Sequence, residues 1–142
     1  ISWLCLLADT MKFPYTEKES RIFGRILKPL IYIEIFSEKH GLWCGINNAV
    51  VDTGADITLI SRDIGEELVN DIFAGVKASI KGVTPYELDV YINDLKLRVI
   101  DKEFSTKVAI ADSEEVPILL GRFGALDLFK AEFVKGKEFV LE

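Results

Sequence analysis

Ala49-Val50-Val51-Asp52-Thr53-Gly54-Ala55-Asp56 is the stretch on which the reading of this chain turns: an acid closes an apolar run and is followed at once by a hydroxyl and a glycine. The run from Leu42 to Val51 reads as a strand, and a strand holds its backbone so that an acid at its end projects rigidly. Thr53 adds a hydroxyl able to orient a neighbouring group, and Gly54 lets another backbone approach closely. Rigidity and access are what a catalytic carboxylate needs. The plainer reading is a turn, since Asp and Gly dominate turns and Asp-x-Gly arises often by chance. On the triplet alone the two readings stand level.

Other chemistries that place an acid after an apolar strand fit less well. A haloacid-dehalogenase site wants a second Asp two positions on, where Gly54 stands, and an aspartyl-phosphate pump wants Lys where Thr53 stands. The sugar-kinase and actin-type phosphate loop usually carries a hydroxyl residue at the place of Asp56, and its fold needs more than 142 residues.

Working outward, Leu30 to Phe36 is rich in β-branched and aromatic residues and predicts a strand, with a turn at Ser37 to Gly41. Ile57 to Ile60 resumes strand character beyond the acid. Ser61 is placed to cap a helix through Phe73, in which Ile64, Leu68 and Ile72 recur at helical spacing and which Gly75 ends. Val76 to Lys81 alternates, and the alternation resumes from Tyr86 through Ile92 after Gly82-Val83-Thr84-Pro85, predicting a hairpin with a short tip. Leu95 to Val99 and Phe104 to Ala111 predict a second hairpin around Asp101-Lys102. Val116 to Leu120 runs apolar into Gly121, Arg122 to Lys130 carries helix formers, and Lys137 to Leu141 predicts a last strand. Short strands with turns between them and one or two short helices indicate an all-β, barrel-like domain.

Composition narrows the function classes. The 142 residues are 49% hydrophobic and 28% charged, a globular balance, and suffice for one core. A formal net charge of −6 with no Lys/Arg stripe argues against a nucleic-acid partner. Cys5, Cys44 and the single His40 have no zinc-site spacing, so neither a metal, a disulfide framework nor a cofactor is expected. No apolar run approaches the ~20 residues of a membrane helix, and the expectation is a soluble, cytoplasmic protein without a membrane partner. Met11 is the only methionine, and Met11-Lys-Phe-Pro-Tyr reads like a start, so residues 1–10 read as an upstream extension or a cloning remnant. The expected organisation is an N-terminal extension over 1–24 and one domain over 25–142.

With these elements in place, the chain resembles the retropepsins, the single-domain aspartic proteases of retroviruses and their cellular relatives. Val51-Asp52-Thr53-Gly54-Ala55-Asp56 is similar to the family's catalytic motif, and Ile118-Leu119-Leu120-Gly121-Arg122 to its second hallmark, a hydrophobic pair before Gly-Arg. The 69 positions from Asp52 to Gly121 suit the family, and the resemblance spans roughly Pro29 to Phe129. It implies a single-lobe acid-protease barrel acting as a homodimer on a polypeptide substrate.

The resemblance also implies roles. Asp52 would be the catalytic acid/base, Thr53 would make hydroxyl contacts across the dimer, Gly54 would bond the substrate backbone, and Asp56 and Arg122 would form an internal ion pair bracing the site. Plain structural duty is an equally good account of Asp56 and Arg122. Substrate contacts are expected at Gly54, Ala55, Ile80, Val83, Tyr86 and Ile118, with Ala78 to Leu88 as the flap. Two positions depart from the family: Val83-Thr84-Pro85 stands where viral flaps carry several glycines, giving a stiffer tip, and Phe123-Gly124 stands where Asp or Asn is common after the Arg.

One Asp-Thr-Gly per chain makes the dimer a requirement. Metal-free peptide hydrolysis by carboxylates needs one to accept a proton and one to give it, and Asp63-Ile64-Gly65, the other Asp-x-Gly, lacks the hydroxyl. A two-fold axis supplies the second Asp52. The competing class is a catalytically silent dimerisation or peptide-binding module on the same fold.

Overall fold

The computed structural model describes residues 11–82 and 86–142. The expectations for residues 1–10 and for the flap tip Val83-Thr84-Pro85 lie outside the described residues. In chain order the strands are β1 (Met11–Pro14), β2 (Thr16–Ser20), β3 (Gly24–Lys28), β4 (Leu30–Ser37), β5 (Leu42–Val51) and β6 (Thr58–Ile60). The helix α1 (Arg62–Leu68) and a 3-10 turn (Ile72–Ala74) follow. Then come β7 (Val76–Lys81), β8 (Glu87–Val99), β9 (Lys102–Ala111) and β10 (Leu119–Leu120), a 3-10 turn (Leu126–Leu128), β11 (Ala131–Val134) and β12 (Glu138–Leu141).

The large sheet runs β4-β5-β10-β6-β9-β8-β7, and pairing of β4 with β8 (Ile33 opposite Val99, Ile35 opposite Leu97) closes six of its strands into a barrel. Closure removes the open edge at β4 and leaves β7, paired only with β8, at the end of the sheet. Alternation fills the interior: Ile31, Ile33 and Ile35 of β4 point in, as do Leu95, Leu97 and Val99 of β8, while Tyr32, Glu34 and Phe36 point out. Outside, Arg98 stacks over Trp43 at 4.1 Å and pairs with Glu34 and Glu103, which hold its guanidinium charged above its already high ordinary range, Glu103 foremost.

A second sheet, β1-β12-β11, joins the two ends of the described chain, with Met11 opposite Leu141 and Pro14 opposite Glu138. Fully buried Phe139 of β12 enters the main core and stacks with Phe13 at 5.1 Å. Residues 11–14 are thus part of the same packed unit as the C-terminal strand, and the expected boundary at 24/25 falls at the start of β3, inside the β2–β3 hairpin.

Four elements depart from expectation. The expected helix over Ser61 to Phe73 stops at Leu68, where Val69 turns extended (φ −127, ψ 154), and Asp71 starts a separate turn by accepting from the Phe73 N–H. Ser61 precedes α1 without capping it through its side chain; its hydroxyl instead faces Asp63 and, with backbone N–H groups, holds that carboxyl below its usual range. The expected helix over Arg122 to Lys130 is a turn, because Gly124 sits at φ +65 against the Thr106 hydroxyl and no helix continues through that conformation. Tyr86 to Ile92 and Leu95 to Val99 belong to one continuous strand, and β11 arises where no strand was expected. Among the described residues no helix is long and apolar enough to cross a membrane.

Candidate active site

The Asp52 segment is held from both sides by backbone. Val51 N–H donates to the Pro29 carbonyl at 2.9 Å, and Asp52 N–H donates to the Leu120 carbonyl at 3.1 Å. β10 lies parallel to β5 (Leu119 opposite Val50, Leu120 opposite Val51) and antiparallel to β6 (Leu119 opposite Leu59). The second sequence motif is therefore threaded between the strand that enters the Asp52 turn and the strand that leaves it. Asp52 is half-buried, whereas Thr53 and Gly54 are exposed.

Within the turn, Ala55 N–H returns to the Asp52 carbonyl at 3.2 Å, and Gly54 N–H donates to Asp52 Oδ1 at 2.9 Å. That last bond fixes the carboxylate rotamer. A Cβ on Gly54 would stand 3.2 Å from Asp52 Oδ1, so a side chain there would press on the carboxylate. The two motifs are then laced together: Arg122 N–H donates to the Ala55 carbonyl at 2.9 Å and Phe123 N–H to the Asp56 carbonyl at 2.8 Å. Gly121 N–H donates to the buried Thr58 Oγ1 at 3.1 Å. Any Cβ at Gly121 would lie 2.4 Å from the Ile57 carbonyl carbon and oxygen, so only glycine permits this crossing.

The expected Asp56–Arg122 ion pair is not formed. Arg122 reaches Asp127, Nε to Oδ1 at 3.2 Å, because the Asp127 N–H closes back on the Arg122 carbonyl and brings that carboxylate under the guanidinium. Asp56 is exposed and meets the Arg122 segment through its backbone carbonyl. With both its partners about half exposed, the Arg122–Asp127 pair adds little stability.

The chain matches no protein-family model and no curated protein at the level of sequence. Among solved structures it is similar to a retropepsin-like aspartic protease from Rickettsia conorii, with a TM-score of 0.59 and 20% identity over 93% of this chain and 90% of that one. EIAV protease in complex with an inhibitor matches with a TM-score of 0.46 and 18% identity, over 67% of this chain and 82% of that one. The fold is the retropepsin-like fold.

On this retropepsin-like barrel the remaining sequence candidates divide between two faces. Ile80 joins an apolar cluster with Leu59, Val90, Ala109, Ala111 and Leu119, linked to the Asp52 turn through β6 and β10. Ile118 points to the other side of β10, where it lines a groove of about 650 Å³ with Cys44, Ile46, Ile64 and Leu68. Strand alternation explains the separation: Leu119, not Ile118, shares a face with Ile80. Ala55 is half-buried in the turn, Tyr86 is exposed where β8 begins, and Val83 lies outside the described residues. Thr58 and Leu59 were not singled out from sequence, and Leu119 only as part of the Gly-Arg motif.

Proposed function

We propose that this chain is an aspartic endopeptidase that hydrolyses peptide bonds with a water held between two Asp52 side chains, one from each subunit of a homodimer. The observation that carries the reading is the part-exposed Asp52, its carboxylate fixed through one oxygen by Gly54 N–H at 2.9 Å. Facing a second copy at about 3 Å, two such carboxylates cannot both ionise and hold one proton between them, the arrangement that aspartic proteases as a class use. The ionised partner takes a proton from water as it attacks the carbonyl carbon, and the protonated partner gives one to the carbonyl oxygen. The tetrahedral intermediate then collapses as the carboxyl that took the water proton gives it to the leaving nitrogen and the other carboxylate takes one from a hydroxyl of the intermediate, which releases amine and acid and restores the shared proton.

Thr53 and Gly54, exposed beside Asp52, would make the subunit and substrate-backbone contacts, while Asp56 and Arg122 support the turn through their backbones. The cluster around Ile80 and Leu119 favours apolar side chains flanking the cleaved bond.

The test is cleavage of an unfolded protein by wild type and by Asp52→Asn, with and without a statine-type inhibitor. Asp52→Asn is expected to abolish cleavage while leaving fold and assembly intact. Residual activity within tenfold of wild type removes Asp52 from the mechanism, and a wild-type dimer that binds peptide without cleaving it identifies a silent binding module instead.

A further inference from the structure

Strands β2 and β3 form a ribbon of their own. Thr16–Ser20 pairs with Gly24–Lys28 from Thr16 opposite Lys28 to Ser20 opposite Gly24, and the ribbon joins neither of the other sheets. Five residues at about 3.3 Å each make it about 17 Å long. Two-stranded ribbons are marginal in water by themselves, yet this one ends in a built tip. Ser20 Oγ accepts from Ile22 N–H at 3.3 Å and Phe23 N–H at 3.2 Å, and Gly24 at φ +74 completes the turn. The turn presents Ile22 at 81% and Phe23 at 74% exposure. Adjacent large apolar side chains held outward in this way mark a contact surface.

The root of the ribbon and its charge say what covers it. Lys28 ends β3, Pro29 accepts the Val51 N–H at 2.9 Å, and Leu30 stands opposite Val50, so the ribbon springs from the immediate neighbourhood of Asp52. A second chain that brings its own Asp52 against the first lies within the ribbon's reach. Residues 16–28 hold four cations and two carboxylates, a charge of +2 in a chain of −6, so the rest of each copy carries −8 and attracts the ribbon of the other. Beside the catalytic turn, Phe123 is 63% exposed and Asp56 is exposed, an apolar and acidic pair that complements Arg21, Ile22 and Phe23. The terminal strands β1 and β12 are already paired with each other inside one chain.

We propose that the β2–β3 hairpin is an arm that clasps the second copy of this chain across the catalytic pair, its Ile22–Phe23 tip packing against the partner beside the catalytic turn. The arm rests on the shared-aspartate reading above, and it fastens the subunits without taking part in the chemistry.

The test compares wild type with Ile22→Ser/Phe23→Ser in full-length chains, following assembly by sedimentation and cleavage as a function of protein concentration. Because both side chains are exposed in a single chain, circular dichroism and monomer stability are expected to stay unchanged, while the dimer Kd rises at least tenfold and cleavage returns to the wild-type rate at high protein concentration. Phe23 replaced by the photocrosslinking residue p-benzoylphenylalanine, in a mixture of isotope-labelled and unlabelled chains, is expected to join one kind to the other. A serine variant that dimerises like wild type, one that dimerises like wild type but fails to cleave, or crosslinks confined within single chains would each overturn the arm and leave the shared-aspartate reading standing. A wild-type chain that is monomeric at every concentration and still cleaves removes both.

Discussion

At the scale of single residues, Gly121 and Thr58 hold the two halves of the site together, although neither carries its chemistry. Gly121→Ala would drive a Cβ to 2.4 Å from the Ile57 backbone, which no side-chain rotation relieves. The expected loss is at or above the top of the ~1–3 kcal/mol range for overpacking, read as a lower denaturant midpoint. Thr58→Val keeps the shape but strands the buried Gly121 N–H, and is expected to cost about 1–3 kcal/mol and to reduce cleavage by loosening the turn. A Thr58→Val chain as stable as wild type would show that this hydrogen bond does not couple the motifs. The Asp52 turn stood out in sequence because its residue types are unusual after an apolar strand. Thr58 was not, since a buried Thr within Ile57-Thr58-Leu59-Ile60 looks like any strand residue until its partner, 63 positions away, is known. Arg122 misled for a related reason: a sequence places charges along the chain but does not say which of two carboxylates, Asp56 or Asp127, the turn folds under the guanidinium.

At the scale of elements, β8 shows why a continuous strand read as two. Leu88, Val90 and Ile92 pack on the cluster linked to the Asp52 turn, whereas Leu95, Leu97 and Val99 fill the barrel core, so the buried positions change from even to odd at Asn93-Asp94. Period-two patterning identifies a face, and a strand that buries opposite faces in its two halves gives the pattern of a break. Asn93 and Asp94 look like turn residues but stay in the ladder opposite Val108 and Lys107, with Lys107 Nζ 3.0 Å from Asp94. The run Leu42–Val51, with turn residues before it, was read with its observed bounds even though its pairing with β4 shifts register between Ile31 and Ile33. α1 rests on β9 by a different device: a Cβ at Gly65 would stand 2.3 Å from a methyl of the fully buried Ile110. Gly65→Ala is expected to destabilise the chain, and Gly65→Ala with Ile110→Ala to cost less than the two single losses added, by a coupling of about 0.5–3 kcal/mol. Strict additivity in denaturation would mean that the helix does not bear on the strand at that point.

At the scale of the whole molecule, the arrangement hardest to foresee is the threading of β10 between β5 and β6, because parallel neighbours about seventy positions apart leave no local pattern in the sequence. That threading exposes one Asp52 turn per chain, and from it follows a prediction about pH. Each chain carries a formal charge of −6, so two copies repel at pH 7, and their Asp52 carboxylates repel at close range unless a proton lies between them. An assembled pair holding a proton that the separate chains have released binds more protons than they do, and linkage then requires assembly to strengthen as pH falls. The effect is limited to one proton per dimer at the site, or at most about tenfold in Kd per pH unit. Salt at 0.1 M, with a screening length of about 10 Å, relieves the repulsion between whole chains but acts little on two carboxylates in contact. Added salt is therefore expected to tighten the dimer at pH 8 without restoring full activity, whereas lowering the pH restores both. Sedimentation across pH 4.5 to 8 beside a cleavage assay separates the two effects. Assembly that ignores pH while cleavage keeps its acidic preference would place the proton in the catalytic step alone, and a chain that cleaves as a monomer throughout would show that one Asp52 suffices.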